Sequence, residues 1–207
     1  MFVQIITGKR RFGCYHLGMR TAGFVLVGGR SSRMGQDKAL LPWRNRTLVE
    51  NIATKVRDAA GNVSLVGNPE RYGAVPMHCL ADRRPGLGPL SGIETALLSN
   101  CAELNLIVAC DLLFLETDCL KSLIQTAIDG SSKCVVARDK AGQLHPLCGV
   151  YRSNCLSIVQ RALDSGRLKL MEIIQELGAQ HVDVKTPIWN VNTPEEWQRC
   201  RELANGG

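Results

Sequence analysis

A glycine-rich segment with two arginines and a lysine contains the residues best suited to phosphate chemistry. It runs from Leu26 to Lys38 and reads LVGGRSSRMGQDK. Glycines let a backbone turn sharply and approach a ligand without a Cβ atom in the way, and the N–H groups of such a turn can point at phosphate oxygens. Arg33 and Lys38 add positive charge where a polyphosphate would lie. The segment predicts a nucleotide-binding loop; a glycine-rich turn with solvated basic residues is the simpler alternative.

Two aspartates directly follow apolar runs further along the chain. Asp111 closes the run Leu106–Cys110, and Asp82 closes a shorter one. A carboxylate at a strand end can bind Mg²⁺, which prefers oxygen ligands and shares them with substrate phosphates; capping of the next turn is the alternative for Asp111. The two acceptor oxygens of Asp82 suit the N1–H and 2-amino donors of guanine. A salt bridge from Asp82 to one of the two arginines that follow it is equally compatible with the sequence.

Two further segments place polar groups before helical patterns. Gly86, Gly88 and Ser91 lie in a second loop that opens a predicted helix, where backbone N–H groups can bind an anion or simply begin the helix. Asn190 and Asn192 precede the last predicted helix. An asparagine side-chain oxygen can complete a Mg²⁺ shell or orient a phosphate, and a local Asx turn is the alternative.

The elements that position these residues follow from the alternation of short apolar runs with helical patterns. This alternation predicts a three-layer α/β/α fold with a mostly parallel sheet. The predicted strands are 22–27, 62–66, 76–80, 104–110, 134–138, 147–151 and 179–184, and the predicted helices are 48–60, 88–99, 117–128, 154–163, 168–177 and 194–203. Thr117 is the predicted cap of one helix, and Thr193 forms a predicted capping box with Glu196.

The topology also predicts where the polar residues lie. In doubly wound sheets, ligands bind outside the carboxyl ends of the strands. The loop at Gly28, Asp82 and Asp111 each follow a predicted strand. We therefore expect all three to meet at one edge of the sheet, independently of any likeness to other proteins.

Composition and charge exclude several classes of protein. The chain has 207 residues, of which 45% are hydrophobic and 21% charged, which is ordinary for a globular domain. No apolar run approaches the roughly 20 residues of a membrane helix, so we expect a soluble protein without a membrane partner. The net charge of +6 equals the six basic residues that precede the first acidic residue, Asp37. Because the remainder is neutral, we expect an anionic small ligand and no nucleic acid.

Cysteine usage indicates a reducing compartment. The nine cysteines are odd in number and irregularly spaced, and no C-x-x-C pattern occurs, so neither a zinc ribbon nor a redox motif is expected. Free cysteines commonly act as small hydrophobic residues. We expect a cytoplasmic protein.

The glycine-rich segment matches neither the P-loop nor the dinucleotide-binding pattern. It resembles the signature L-x-G-G-x-S-x-R-M-G-x-D-K of the nucleotidyltransferases, specifically the molybdenum cofactor guanylyltransferases. The segment around Asp82, the pair Cys110-Asp111 and the segment Asn190–Glu196 also match this family in order, so the resemblance covers nearly all of residues 20–204. Leu113 stands where the family usually has proline, which changes the shape of a loop rather than its ligand chemistry.

The resemblance implies a three-layer Rossmann-like nucleotidyltransferase fold and one domain over residues 19–207. Relatives usually begin near Met19, so residues 1–18 are interpreted as an N-terminal extension, disordered or produced by a misplaced start. The implied reaction transfers GMP from GTP to the terminal phosphate of molybdenum-bound molybdopterin and releases pyrophosphate. Molybdenum-insertion proteins and molybdoenzymes are the implied protein partners.

The resemblance also implies roles for individual residues. The catalytic residues are Arg33, Lys38 and Asp111. The GTP-binding residues are Leu26, Val27, Gly28, Gly29, Arg33, Lys38, Asp82 and Asp111. Mg²⁺ is the implied cofactor, with Asp111 and then Asn192 as its ligands. The possible pterin or phosphate loop consists of Gly86, Gly88, Ser91 and Asn190, and His145 is a pocket wall or hydrogen-bond anchor rather than a base.

Three alternative functions remain open at this point. A molybdopterin cytidylyltransferase and a sugar-phosphate nucleotidyltransferase would use the same kind of site, although Gly28-Gly29 and Asp37-Lys38 favour the guanylyl type. A degenerate nucleotide-binding regulator would keep the fold without the reaction. The presence of Arg33, Lys38, Asp82 and Asp111 together argues against degeneration.

Overall fold

The structure is a computed structural model that describes residues 20–28, 37–99, 102–185, 188–189, 191 and 193–205. Within these residues the strands are β1 (Thr21–Leu26), β2 (Pro42–Trp43), β3 (Arg46–Thr47), β4 (Ser64–Gly67), β5 (Cys79–Ala81), β6 (Leu104–Ala109), β7 (Cys134–Arg138), β8 (Leu144–Arg152) and β9 (Gln180–Asp183). The α-helices are α1 (Leu48–Ala60), α2 (Pro69–Tyr72), α3 (Pro89–Leu98), α4 (Thr117–Asp129), α5 (Leu156–Asp164), α6 (Leu170–Glu176) and α7 (Pro194–Asn205). Short 3₁₀ helices cover Lys38–Leu40 and Ser153–Cys155. None of the helices in these described ranges has the length and apolar character needed to cross a membrane.

The main sheet has seven strands in the order β5-β4-β1-β6-β8-β7-β9. β1 pairs in parallel with β4 and β6, and the pairs β4–β5 and β7–β9 are also parallel. β8 runs antiparallel to both of its neighbours, β6 and β7. The mostly parallel sheet predicted from the alternating patterns is confirmed.

Helices cover both faces of this sheet. Successive side chains of a strand point to opposite faces, and β1 shows this directly. Val25 belongs to the apolar cluster that contains the inner faces of α1 and α4, whereas Phe24 and Leu26 belong to the cluster that contains those of α3, α5 and α6. The sheet is therefore the middle of three layers, as predicted.

Helix caps agree with the sequence at α7 but not at α4. Thr193 and Glu196 form the predicted capping box, with backbone-to-side-chain hydrogen bonds of 3.1 and 3.2 Å. The prediction that Thr117 caps α4 is wrong, since Glu116 has extended backbone angles and occupies the cap position. Thr117 is already the first helical residue, where its hydroxyl is no longer placed to accept from the next turn.

The ribbon β2–β3 and the short helix α2 are not predicted by the sequence patterns. Trp43 of β2 lies 5.5 Å from Trp197 of α7 and 6.0 Å from Phe114, measured between ring centroids. These rings belong to a third, smaller apolar cluster. Contacts between distant parts of the chain thus stabilise the ribbon. The sequence patterns do not predict it because a strand of two residues is too short to show alternating hydrophobicity.

The strand β8 begins at Leu144, three residues before the predicted start. The register of β7 and β8 shifts between Val136 and Ala137, so that Ala137 pairs with His145. Pro146 follows at this irregular position, where the missing backbone N–H is tolerated. The predicted boundary failed because a proline and a bulge interrupt the sequence pattern without ending the strand.

Gly67 allows β4 to lie close to the end of β1. A Cβ atom at this position would lie 2.3 Å from the carbonyl oxygen of Val27 and 2.8 Å from its Cγ2. Because a backbone oxygen cannot move away as a flexible side chain can, we expect Gly67→Ala to lower the free energy of unfolding by roughly 1–3 kcal/mol. Urea denaturation measures this change.

Gly73→Ala is the matched control, because the nearest atom to its Cβ would be the Pro69 carbonyl oxygen at 3.2 Å and its φ of −63° suits any residue. Its effect should stay within about 1 kcal/mol. Equal losses in both variants would show that the approach of β4 to Val27 is not the sensitive feature.

Candidate functional site

The carboxyl ends of β5, β4, β1 and β6 form one edge of the sheet. Leu26 of β1 is the register partner of both Val66 in β4 and Ala109 in β6, and β5 ends beside β4. The residues that follow these strands therefore lie along this edge: Gly28, Asn68, Asp82 and Asp111. With strands about 4.8 Å apart, three steps separate Asp82 from Asp111 by roughly 14 Å. The two carboxylates can thus contact opposite ends of one extended ligand.

An ion pair joins two of the predicted catalytic residues. Lys38 Nζ lies 2.6 Å from Asp111 Oδ2, and each side chain is 17% exposed. Lys38 Nζ also donates to the carbonyl oxygen of Val191 at 3.2 Å, and the Val191 N–H donates to the Asp111 carbonyl at 3.4 Å. An ion pair between side chains that are mostly buried is screened less than a fully exposed pair. The Asp111 carboxylate is therefore built to bind a cation.

The Asp82 carboxylate is held by its own loop. Its Oδ1 accepts hydrogen bonds from the Ser91 hydroxyl and, at 3.1 Å, from the backbone N–H of Arg84. The guanidinium of Arg84 instead lies 3.1 Å from Glu94 and 2.6 Å from Asp164. The alternative of a salt bridge from Asp82 to Arg84 is therefore not the arrangement seen here, because Arg84 is directed to other carboxylates. Asp82 is half-buried.

The second glycine loop turns tightly before α3. Gly86 and Gly88 have φ angles of 91° and 77°, a region that glycine adopts without the strain caused by a Cβ atom. Ser91 is completely buried, and its hydroxyl orients Asp82, a role that the sequence did not predict. The assignment of this loop to a pterin or a phosphate stays a prediction.

The other half of the edge contains a histidine–aspartate pair. His145 Nε2 lies 2.9 Å from Asp139 Oδ2, and Asp139 Oδ1 accepts at 2.9 Å from the N–H groups of Ala141 and Gln143. The hydrogen bond with His145 is the main cause that lowers the pKa of the Asp139 carboxyl, against the opposing effect of burial. His145 is thus a hydrogen-bond anchor of the β7–β8 turn.

Four of the predicted site residues lie outside the described residues: Gly29, Arg33, Asn190 and Asn192. Val191, which stands between the two asparagines in the sequence, is described and is completely buried in the small aromatic cluster. Its backbone contacts with Lys38 and Asp111 bring Val191 to the edge. The roles of Arg33, Asn190 and Asn192 stay predictions.

Two residues near the edge were missed by the sequence analysis. Asn68 follows β4 and accepts a hydrogen bond from the Glu70 N–H at 2.9 Å, which begins α2. Glu94 is a buried carboxylate on α3, 1% exposed, beside Arg84. A polar residue just after a predicted strand would have pointed to Asn68, and an acidic residue between the apolar positions of α3 would have pointed to Glu94.

Comparison with known proteins agrees with the geometry of this edge. A molybdenum cofactor guanylyltransferase of Xanthomonas euvesicatoria pv. vesicatoria is 34% identical over 187 residues, which cover 86% of this chain and 92% of that protein. Another, from Desulfosudis oleivorans, is 31% identical over 199 residues, covering 89% of this chain and 96% of the relative. The similarity therefore extends over nearly the whole length of both relatives.

Solved structures support the fold. The molybdopterin-guanine dinucleotide biosynthesis protein A of Archaeoglobus fulgidus has a TM-score of 0.77 at 20% identity and covers 90% of this chain and 100% of its own. The predicted Rossmann-like architecture is thereby confirmed. A family model described as a MobA-like NTP transferase domain matches residues 23–183. The chain belongs to the MobA-like NTP transferase family and is a nucleotidyltransferase.

Proposed function

We propose that this enzyme transfers GMP from GTP to the terminal phosphate of molybdenum-bound molybdopterin and releases pyrophosphate. The observation that carries the proposal is the Lys38–Asp111 ion pair of 2.6 Å, placed at the same sheet edge as Gly28 and Asp82. The ion pair combines a cation that can bind phosphates with a carboxylate that can bind a metal. It lies roughly three strand spacings from Asp82, the candidate hydrogen-bond acceptor for guanine. The likeness to molybdenum cofactor guanylyltransferases over most of the chain supports this acceptor and this nucleotide.

The triphosphate would lie over the loop that follows β1. The backbone of Leu26, Val27, Gly28 and Gly29 would face it, with its glycines allowing close approach. Lys38, together with Arg33, would neutralise charge on the α-phosphate and on the pyrophosphate that leaves. Alignment and charge stabilisation supply most of the catalysis in transfers of this kind.

The residues present fit a bound Mg²⁺. Asp111 Oδ2 already accepts a hydrogen bond from the Lys38 ammonium, so a positively charged group lies at this oxygen in the structure. Asp111 would hold the metal, with Asn192 as the second protein ligand, and the substrate phosphates would complete the shell. When bound, Mg²⁺ supplies positive charge to the α-phosphate and its incoming oxygen.

The acceptor requires no side-chain base. A phosphate monoester has a second pKa near 6, so the terminal phosphate of molybdopterin is mostly a dianion at neutral pH and is already nucleophilic. His145 is engaged with Asp139 and acts as an anchor.

Gly86, Gly88, Ser91 and Asn190 are the proposed pterin or phosphate loop, although the Ser91 hydroxyl acts through Asp82.

Guanine selection is assigned to Asp82. The N1–H and 2-amino groups of guanine are two adjacent donors, and a carboxylate offers two adjacent acceptors. The Ser91 hydroxyl and the Arg84 N–H both donate to Oδ1, which fixes the orientation of the carboxylate and leaves Oδ2 to accept from the donor edge of guanine. Cytosine presents no matching pair of donors on its pairing edge.

The proposal is tested by measuring pyrophosphate release from each of the four ribonucleoside triphosphates, with and without molybdenum-loaded molybdopterin. We expect release only from GTP and only with this acceptor. Preference for CTP would identify a cytidylyltransferase, and release with a sugar phosphate would identify a sugar-phosphate enzyme. Binding of GTP without any release would identify a nucleotide-binding regulator.

We further propose a cytoplasmic location and encounters with molybdenum-insertion proteins and molybdoenzymes. The described cysteines, Cys79, Cys110, Cys119, Cys134, Cys148, Cys155 and Cys200, carry free thiols. Most are buried and serve as apolar packing residues. Fractionation of cells with antibodies against the protein tests the location.

A further inference from the structure

Asp37 is the acidic residue of the glycine-rich signature, and both of its carboxylate oxygens are engaged by its own chain. Oδ1 accepts a hydrogen bond from the Ala39 N–H at 3.0 Å. Oδ2 accepts one from the Tyr72 hydroxyl at 2.8 Å and lies 2.6 Å from Nε of Arg71. The Asp37 side chain is 9% exposed. The Asp37 carboxylate is therefore engaged by protein groups, whereas the neighbouring Lys38 contacts Asp111 and is assigned to the triphosphate by the proposed function.

Asp37 stabilises the backbone turn that contains Lys38. It is the N-cap of the 3₁₀ turn Lys38–Leu40, and its carbonyl accepts from the Leu40 N–H at 3.1 Å. The side-chain bond to Ala39 satisfies a second donor of the same turn. A rotation of the Asp37 side chain would consequently release one end of the turn that carries the Lys38 side chain.

Tyr72 is the buried side-chain donor to Asp37. It is the last residue of α2, and 1% of its surface is exposed. Burial, followed by the hydrogen bond to Asp37, raises the pKa of the Tyr72 phenol far above its usual value, so it is a neutral donor throughout the physiological range. Arg71 forms an ion pair with the same oxygen, but its side chain is half-exposed, and an exposed ion pair contributes little to stability.

We propose that Tyr72 is a positioning residue that acts through Asp37 to aim the Lys38 ammonium at Asp111 and the nucleotide. The contacts run from Tyr72 to Asp37, along the chain to Lys38, and on to Asp111, so they connect the end of β4 with the end of β6 across β1. This inference rests on the proposed function for the identity of the nucleotide. A displacement of about 1 Å at a reacting centre can cost about 10²-fold in rate. We therefore expect loss of the Tyr72 hydroxyl to lower the rate measurably, even though Tyr72 does not contact the nucleotide.

The test compares two tyrosines that are each 1% exposed and whose hydroxyls each donate one hydrogen bond to the protein. Tyr72→Phe removes only the hydroxyl that binds Asp37. The control Tyr151→Phe removes a hydroxyl that donates to the Pro146 carbonyl at 2.7 Å, from a residue that is also 1% exposed. Tyr72→Phe should lower kcat/KM for GTP about 10-fold, which is less than the roughly 10²-fold loss that a 1 Å displacement can cause. Tyr151→Phe should alter thermal stability and leave kcat/KM for GTP unchanged.

A second background separates positioning from general loosening of the fold. If Tyr72 acts through Lys38, adding Tyr72→Phe to Lys38→Met should produce no further loss of GTP affinity or turnover. Multiplicative losses in the double variant would show that Tyr72 stabilises the fold without acting through Lys38, and would overturn the inference.

A readout that needs no nucleotide distinguishes this inference from the proposed function. The rate at which an amine-reactive ester acylates Lys38, mapped by mass spectrometry, should rise several-fold in Tyr72→Phe because the ammonium leaves Asp111, and stay unchanged in Tyr151→Phe. If the wild type failed to bind GTP, the proposed function would fail, while Lys38 reactivity would still test the positioning. Wild-type reactivity of Lys38 in Tyr72→Phe would contradict it.

Discussion

Replacing Asp111 by alanine is expected to lower acceptor-dependent pyrophosphate release by roughly 10³-fold or more while leaving the fold intact. Groups that stabilise charge in a transition state are individually worth about 10²–10³ in rate, and Asp111 both carries the proposed metal and holds Lys38 at 2.6 Å. The loss of stability should be small, below about 2 kcal/mol, because the pair is partly exposed and Lys38 keeps its bond to Val191.

Asp129→Ala is the matched control for this variant. Asp129 ends α4 and accepts hydrogen bonds from the exposed side chain of Gln125. Its replacement should leave the rate unchanged, and circular dichroism of both variants should give wild-type helix content. An Asp111→Ala enzyme that kept most of its activity with GTP and Mg²⁺ would exclude Asp111 as the metal ligand.

Replacing Asp82 by asparagine is expected to remove most of the preference for GTP. The substitution keeps the size of the side chain but turns one acceptor into a donor, which would face a donor of guanine. A hydrogen bond to a charged group contributes about 1.5–3 kcal/mol, so kcat/KM for GTP should fall roughly 10²-fold. The low rates with ATP, CTP and UTP should change little, because their bases gain no contact from Asp82.

Asp164→Asn controls for disturbance of the same loop. Asp164 is exposed and lies 2.6 Å from Arg84, whose backbone binds Asp82. This variant should retain both the rate and the GTP preference of the wild type. If Asp82→Asn lowered the rates with all four nucleotides equally, Asp82 would be a structural residue of the loop, and guanine would be selected elsewhere.

Much of the fold could be predicted because most elements are amphipathic or apolar over their full length. The bounds of α1 agree with the predicted 48–60, and β7 agrees with 134–138. Periodicity identifies such elements since each buries a regular face. The alternation of such strands with helices also predicts a mostly parallel sheet, which the strand pairing confirms, with β8 as the antiparallel strand.

The elements that failed lack such a pattern. The ribbon β2–β3 has two residues per strand and depends on Trp43 packing against Trp197, more than 150 residues away in the sequence. The extension of β8 to Leu144 depends on a register shift beside Ala137. Tertiary contacts decide both features, and no window of local sequence contains them.

The candidate site shows the same division. The placement of Asp82 and Asp111 at one edge follows from topology alone, since both residues come after strands. The side-chain partners of the aspartates at this edge do not follow from topology. Asp111 pairs with a lysine 73 residues earlier, and Asp37 accepts a hydrogen bond from a tyrosine 35 residues later. Ser91 is buried and its hydroxyl donates to Asp82, a contact that the sequence did not predict, while its place in a ligand loop stays a prediction. Such choices depend on side-chain packing, which the sequence spacing does not contain.

The most direct test of nucleotidyl transfer follows the two ends of the triphosphate. GTP labelled at the α-phosphorus or at the γ-phosphorus is incubated with Mg²⁺, the enzyme and molybdenum-loaded molybdopterin, and the products are separated. We expect the α-label in the dinucleotide formed with molybdopterin and the γ-label in pyrophosphate. Transfer of the γ-label to molybdopterin, or release of γ-labelled phosphate without any α-labelled dinucleotide, would contradict the proposed function.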